Sequence, residues 1–165
     1  MNQGGEGEWP RGEYSISTDN ERLDVALIHD FISNQSYWGQ GRRIETVQRA
    51  LNHSLNFGVF KNDQQVGFAR VVTDFATFAW VADVFILADH RGQGLAKWLM
   101  ESILSHPELQ GFRRWVLATR DAHSLVSRNL SGQSVGWNAP IRKCRKRQII
   151  GKMPGIIEQA VGDVW

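Results

Sequence analysis

The sequence predicts an α/β domain in which helices pack against a central, mostly antiparallel sheet. Several short segments alternate apolar and polar residues or are continuously apolar, as strands are, and three others repeat apolar residues at helical spacings of three and four. A glycine-containing turn joins one apolar strand directly to one of these helices. The 165 residues, 42% apolar and 22% charged, suit a single domain with a buried core.

Cysteine and histidine content argues against a disulfide framework and against a metal site. Cys144 is the only cysteine, and the five histidines are scattered along the chain. No stretch approaches the roughly 18 to 20 uncharged apolar residues of a membrane helix, and the first residues lack the basic-then-apolar order of a secretory signal. We therefore expect a soluble, cytoplasmic protein without a metal or membrane contact.

The last forty residues differ in charge from the rest of the chain. Residues 1–125 carry 12 Lys and Arg against 15 Asp and Glu, whereas residues 126–165 carry 7 against 2. The tail has no Phe or Tyr, and its basic run 142–147 shows no apolar period. We divide the chain into a flexible N-terminus (1–12), a folded domain (13–126) and an irregular basic tail (127–165).

The first half of the folded domain begins with one strand and two helices. Alternating residues over 14–18 predict the strand. Apolar stripes predict helices over about 21–33 and 44–55, separated by an aromatic loop at 36–39.

A meander of strands follows these helices. Two β-rich runs, 57–61 and 65–72, flank an Asn-Asp pair that tolerates positive φ and predicts an antiparallel hairpin. The apolar run 77–87 is broken only by Asp83, which predicts a central strand buried on both faces.

One more helix and strand complete the domain. Helical spacing resumes at Leu95 and stops at Pro107, and residues 113–119 predict the next strand. Trp80, Trp98 and Trp115 fall on faces that we expect to be buried.

The turn between the apolar strand and this helix is the most informative segment of the chain. Its residues are Arg91, Gly92, Gln93, Gly94, Leu95 and Ala96. Glycines let the backbone approach a ligand closely, and the free N–H groups at a helix start favour a phosphate. The spacing matches neither the Gly-Lys-Ser/Thr nucleotide loop nor the three-glycine dinucleotide fingerprint. A glycine-rich turn without a ligand is the alternative.

At these residues the sequence resembles the GNAT superfamily of N-acetyltransferases, and in particular its small bacterial members. The coenzyme A loop of that family reads Arg/Gln-x-x-Gly-x-Gly/Ala, and Arg91, Gly94 and Ala96 fill the pattern. The order of elements over about 14–125 also agrees, as does the stretch 117–123, which reads Leu-Ala-Thr-Arg-Asp-Ala-His.

The resemblance implies a mixed, mostly antiparallel sheet with a splayed strand pair that binds acetyl-CoA. The strand that contains Val84, Phe85 and Ile86 diverges from the strand 113–119, and pantetheine lies in the opening. Residues 91–96 bind the pyrophosphate. An amine then attacks the thioester directly in a ternary complex, where proximity supplies about 7 to 11 kcal/mol.

The tail departs from the family pattern. In relatives a Gly-Leu-Tyr follows the alanine-histidine pair, and its tyrosine protonates the thiolate. Here the matching residues are Ser124, Leu125 and Val126. Two explanations remain open: a diverged family member, or a tail translated out of the ancestral frame, which we favour because the tail is locally inconsistent. We expect it to leave the edge of the 113–119 strand uncovered.

Several further residues are candidates for the site. Asp83 and His123 are assigned catalytic roles, Asp83 drawing a proton from the amine. Tyr37, Trp38 and Thr119 are assigned to the acceptor, the two aromatics as walls of an amine pocket. The alternatives are a paired or bulge-located structural aspartate, a helix-start network at His123 and ordinary packing of the aromatics.

Three functions are therefore weighed. The first is acetyl transfer from acetyl-CoA to a small-molecule amine. The second is a catalytically impaired coenzyme A-binding domain without the general acid at Val126. The third is nucleic-acid interaction through the basic run, which we do not expect because no aromatics or recognition module accompany it. A homodimer is left open.

Overall fold

The computed structural model of the chain describes residues 7–118 and 148–151. Seven strands form one sheet in chain order. They are β1 (Glu8–Arg11), β2 (Tyr14–Ser17), β3 (Leu55–Lys61), β4 (Gln64–Thr73), β5 (Phe78–Ile86), β6 (Arg114–Ala118) and β7 (Gln148–Gly151). Every neighbouring pair is antiparallel except the parallel pair β5–β6. The predicted mixed, mostly antiparallel sheet is confirmed.

Three α-helices accompany this sheet in the described residues. They are α1 (Val25–Asp30), which continues into a π-helical turn (Phe31–Gln35), α2 (Ile44–Asn52) and α3 (Leu95–Ser105). Short 3-10 segments cover Asn20–Arg22, Ala88–His90 and Pro107–Leu109. None of the described helices is long and apolar enough to cross a membrane.

The predicted helix over 21–33 is divided near its beginning. Asp24 has extended backbone angles, and its side chain accepts a hydrogen bond from the Leu27 N–H at 3.0 Å, so that α1 begins with a cap at this point. The apolar stripe does form a helix, but the Asp24 cap makes that helix begin at Val25, after the separate 3-10 segment Asn20–Arg22.

Two apolar clusters lie on opposite faces of the sheet. One packs α3 against inward side chains of β2 to β6, including Phe57 and Val81. The other packs α1 and α2 against Phe68 and Phe85. Because successive residues of a strand point to opposite faces, β5 contributes to both clusters.

The predicted flexible N-terminus is wrong over Glu8–Arg11. These residues form β1, which pairs with β2. The Trp9 ring packs 5.9 Å from Phe57 and 6.0 Å from His106, so one large aromatic anchors a segment whose glycines suggested a loop.

The prediction that β5 is buried on both faces holds only for its C-terminal half. Trp80 is exposed on the face opposite α3, because the cluster beneath α1 and α2 reaches only the end of β5. Trp115 is buried as predicted, whereas Trp98 is only half-buried.

The expectation of an irregular tail is wrong over Gln148–Gly151, which form β7 and pair with β6. These four residues cover the edge of β6 that we expected to be free. Two adjacent isoleucines, Ile149 and Ile150, favour a strand here despite the basic run before them. The basic run itself and Val126 lie outside the described residues, and the frame-shift explanation stays a prediction.

The turn between β4 and β5 is organised by one exposed carboxylate. Asp74 accepts hydrogen bonds from the N–H groups of Ala76, Thr77 and Phe78 and from the Thr77 hydroxyl at 2.6 Å. These bonds, led by that of the hydroxyl, hold the pKa of Asp74 well below its ordinary value.

We predict that Asp74→Ala lowers the free energy of unfolding at pH 7, because four donors lose their acceptor. The native pKa lies below the unfolded value of 3.8. The contribution is therefore complete above about pH 4 and is lost as the pH falls toward the native pKa. Urea unfolding should show the difference from the parent protein narrowing on acidification. Asp63→Ala, in the exposed turn between β3 and β4, is the control, and an equal effect there would contradict the prediction.

Candidate functional site

The turn before α3 has the geometry of an anion-binding loop. Gly92 and Gly94 have φ values of 74° and 72°, in the left-handed region that favours glycine. A Cβ at either position would meet nothing within 4 Å. The first helical hydrogen bond of α3 runs from the Trp98 N–H to the Gly94 carbonyl at 3.1 Å. The preceding amides therefore have no partner within the helix and lie at its positive dipole end.

Side chains on both sides of this loop hold it in place. Arg91 donates from Nε to the Ile86 carbonyl at 3.0 Å, which ties the loop to the end of β5. The Tyr14 hydroxyl donates to Gln93 Oε1 at 3.1 Å and lies 3.1 Å from His90 Nδ1. Sequence reasoning missed the role of Tyr14, because the contact spans more than seventy residues.

The end of β5, beside this loop, has no strand paired to it on its β6 side among the described residues. The parallel pairing of β5 and β6 begins at Phe78–Arg114 and ends at Val81–Leu117, while β5 continues to Ile86. On its other side the end of β5 stays paired with β4. One edge of Val84–Ile86 therefore has no paired strand among the described residues. The splayed strand pair that the family resemblance implies stays a prediction, because the residues that follow Ala118 lie outside the described ones.

A β-bulge lies in β5 just beyond its last described pair with β6. The β4–β5 register shifts between Phe68 and Arg70, so that an extra residue of β5 opposes β4. Asp83 lies at this point with a φ of 52°, a conformation that aspartate tolerates better than most residues. The extra residue returns Val84 to the face of α3 and turns Phe85 toward α1 and α2.

Three side chains converge on the buried carboxylate of Asp83. Arg70 approaches Oδ2 with Nε at 2.9 Å and Nη2 at 2.8 Å. Arg42 places Nη1 3.3 Å from both oxygens, and the indole N–H of Trp38 donates to Oδ1 at 3.2 Å. We call these four residues the Asp83 cluster. Its contacts favour the paired, bulge-located aspartate among the sequence alternatives, and a role as base stays a prediction.

The two aromatic residues assigned to the acceptor are brought to this cluster. Trp38 is half-buried, and Tyr37 is exposed and packs edge-on against it, with ring centroids 5.1 Å apart. Thr119 and His123 lie outside the described residues, and their assignment stays a prediction.

Sequence reasoning missed Arg42 and Arg70. Arg70 stands alone in the apolar strand β4, as Asp83 does in β5, and pairing these two isolated charges in neighbouring strands would have suggested the ion pair. Arg42 left no such signal, because it lies in a polar loop.

No group of three or more His, Cys, Asp or Glu side chains is placed to hold a metal ion in the part of the chain that the structure describes.

Comparison with known proteins now identifies the family. Residues 25–137 match the family model described as the acetyltransferase (GNAT) family. The chain belongs to this family. A candidate acetyltransferase from Gibberella zeae is 31% identical over 144 residues, which cover 74% of this chain and 80% of that protein.

Solved GNAT structures share the fold. A candidate GNAT-family acetyltransferase from Xanthomonas campestris pv. campestris is 50% identical with a TM-score of 0.67, covering 72% of this chain and 82% of the other. A GNAT acetyltransferase from Elizabethkingia anophelis, solved with acetyl-CoA bound, has a TM-score of 0.52 at 10% identity, covering 69% and 70%. The family and enzyme class implied by the sequence, a GNAT acyltransferase, are confirmed.

We predict that Asp83→Asn destabilises the protein by about 3 kcal/mol, because two guanidinium groups lose a buried counter-charge while asparagine still tolerates the positive φ. Glu45→Gln is the matched control. It removes the exposed pair with Arg43, whose N–O distance is 3.3 Å, and should cost less than about 0.5 kcal/mol. Urea unfolding compares the two variants. A small loss for Asp83→Asn, accompanied by a fall in turnover, would instead support a role as base.

Proposed function

We propose that the chain transfers the acetyl group of acetyl-CoA to the amine of a small molecule, by direct attack within a ternary complex. The observation that carries the proposal is the combination of an open β5 edge with the glycine loop at the start of α3. An extended thioester with a pyrophosphate at one end matches both features. The acetyl-CoA in the Elizabethkingia anophelis relative supports the same ligand.

The pyrophosphate is assigned to the amides of Gln93, Gly94, Leu95 and Ala96. The open space at both glycines lets phosphate oxygens reach the backbone, and the helix dipole favours their charge. Arg91 is exposed beside the loop and, with Nε held by the Ile86 carbonyl, supplies a positioned positive charge.

The pantetheine arm is assigned to the edge of Val84, Phe85 and Ile86. Because no described strand pairs with this edge on the β6 side, its backbone groups are available to an extended ligand, as they would be to another strand. The arm then points toward the bulge at Asp83, and the acceptor is assigned to the neighbouring Tyr37 and Trp38.

The chemistry needs an aligned amine more than a reactive protein group. The nitrogen lone pair attacks the thioester carbonyl carbon, the carbon–sulfur bond breaks, and coenzyme A leaves as a thiolate that must gain a proton. The ammonium proton must leave before attack. The loop, the β5 edge and the aromatic pair hold the reactants in line, and such alignment can lower the activation free energy by about 7 to 11 kcal/mol.

We predict that Gly94→Val weakens acetyl-CoA binding at least tenfold, because a branched side chain would occupy the space that the phosphate needs. Gly94 also has a positive φ, so the variant strains the backbone. Gly111→Val is the control for that strain, since Gly111 has a φ of 75° and an equally open Cβ position far along the chain. Calorimetric titration should show weaker binding only for Gly94→Val; equal binding by both variants would refute the loop assignment.

The function itself is tested by release of free thiol from acetyl-CoA with a panel of small amines. Amine-dependent release is expected. Calorimetric binding of acetyl-CoA without release would favour the impaired coenzyme-binding alternative, in which Val126 stands where relatives have the proton donor. Absence of binding would refute the proposal altogether. Nucleic-acid interaction has no support among these observations.

A further inference from the structure

We propose that the acceptor is an aminocarboxylate, a molecule that carries a carboxylate near its reacting amine, and that Arg42 binds this carboxylate. The inference rests on the proposed acetyl transfer and goes beyond it by naming the substrate class. It follows from a difference between the two arginines of the Asp83 cluster: the Arg70 guanidinium makes more and shorter polar contacts than the Arg42 guanidinium.

Arg70 is largely buried, and each of its three nitrogens already has a partner. Its Nε and Nη2 contact Asp83 Oδ2, and its Nη1 donates to the Ser54 hydroxyl at 3.0 Å. Only 12% of the side chain is exposed. Arg70 and Asp83 therefore form a closed pair in which one charge neutralises the other.

Arg42 is the excess charge of the cluster. It contacts Asp83 only through Nη1, at 3.3 Å, while Arg70 already makes the shorter contacts. Its Nε and Nη2 have no partner among the described residues, and 25% of its side chain is exposed. With one carboxylate and two guanidinium groups, the cluster carries a net charge of +1. A partly exposed guanidinium with N–H groups that have no partner among the described residues suits a carboxylate.

Three hydrogen bonds hold the backbone of Arg42 in place. Its carbonyl accepts hydrogen bonds from His29 Nε2 at 2.9 Å and from the Ser33 hydroxyl at 3.0 Å. Its N–H donates to the Gly39 carbonyl at 3.0 Å. Four backbone and side-chain contacts, including Asp83, thus fix the residue before a ligand arrives, which reduces the entropy lost on binding.

The surroundings of Arg42 fit the rest of an aminocarboxylate. Trp38 Nε1 and Arg42 Nη1 contact the same oxygen of Asp83, so the indole and the guanidinium are neighbours. The exposed Tyr37 ring extends this surface. Aromatic faces attract an ammonium group and the alkyl part of a ligand. Val84, where the proposed coenzyme edge begins, follows Asp83 directly in the chain.

The test compares amino acids with their neutral carboxamides, such as phenylalanine with phenylalaninamide, as acceptors in the thiol-release assay. Rates are expressed per concentration of free amine, because the two compounds differ in amine basicity. We expect kcat/KM to be at least tenfold higher for the acids. Arg42→Gln should reduce the ratio of kcat/KM for the acid to kcat/KM for the amide to about one, without changing the affinity for acetyl-CoA. Arg42→Lys should restore part of this acid-to-amide ratio.

Arg43→Gln is the matched control, since Arg43 is exposed and, among the described residues, pairs with the exposed Glu45. It should keep the acid-to-amide ratio of the parent protein. A second measurement needs no variant: 3-phenylpropionate, which lacks an amine, should inhibit competitively against the acceptor, whereas its carboxamide should not.

Three results would overturn the inference while leaving the proposed function standing. They are equal turnover of acids and amides, an unchanged ratio in folded Arg42→Gln, and acetylation only of amines without a carboxylate. Failure to bind acetyl-CoA or to acetylate any amine would instead refute the proposed function on which the inference rests.

Discussion

The candidate site depends on one buried charge that β5 carries at a bulge. Asp83 would be costly in an apolar strand if it were alone. Arg70 from β4 and Arg42 from the loop before α2 compensate it, and the same contacts bring Trp38 to the sheet. The ion cluster therefore joins three distant segments just beyond the last described pair of β5 and β6.

The bulge also decides which side chains reach each core. With a strict period of two, Val84 would lie on the same face as Trp80 and Ala82. The extra residue at Asp83 moves Val84 and Ile86 to the α3 side and Phe85 to the other side, where it stacks on Phe31 with centroids 3.9 Å apart. Local strain at a positive φ is thus offset by packing on both faces.

The topology places the proposed coenzyme elements next to each other in the chain. β5 ends at Ile86, and the loop and α3 follow within a few residues. Among the described residues, β6 pairs only with the first half of β5, so the unpaired strand edge leads directly to the helix start. Tyr14 then links this loop to β2 through its contacts with His90 and Gln93.

The sequence by itself determined the features that local physics controls. Apolar periodicity located the strand 14–18, the hairpin, β5 and α3, and the glycine spacing located the loop. Backbone conformation and amphipathicity depend on a few adjacent residues, so a local pattern is enough to predict them. Tertiary structure alone decided the use of Arg42, Arg70 and Tyr14, the anchoring of β1 by Trp9 and the pairing of β7. Those contacts join residues far apart in the chain, and no local pattern encodes which distant partner a lone charge or aromatic will meet.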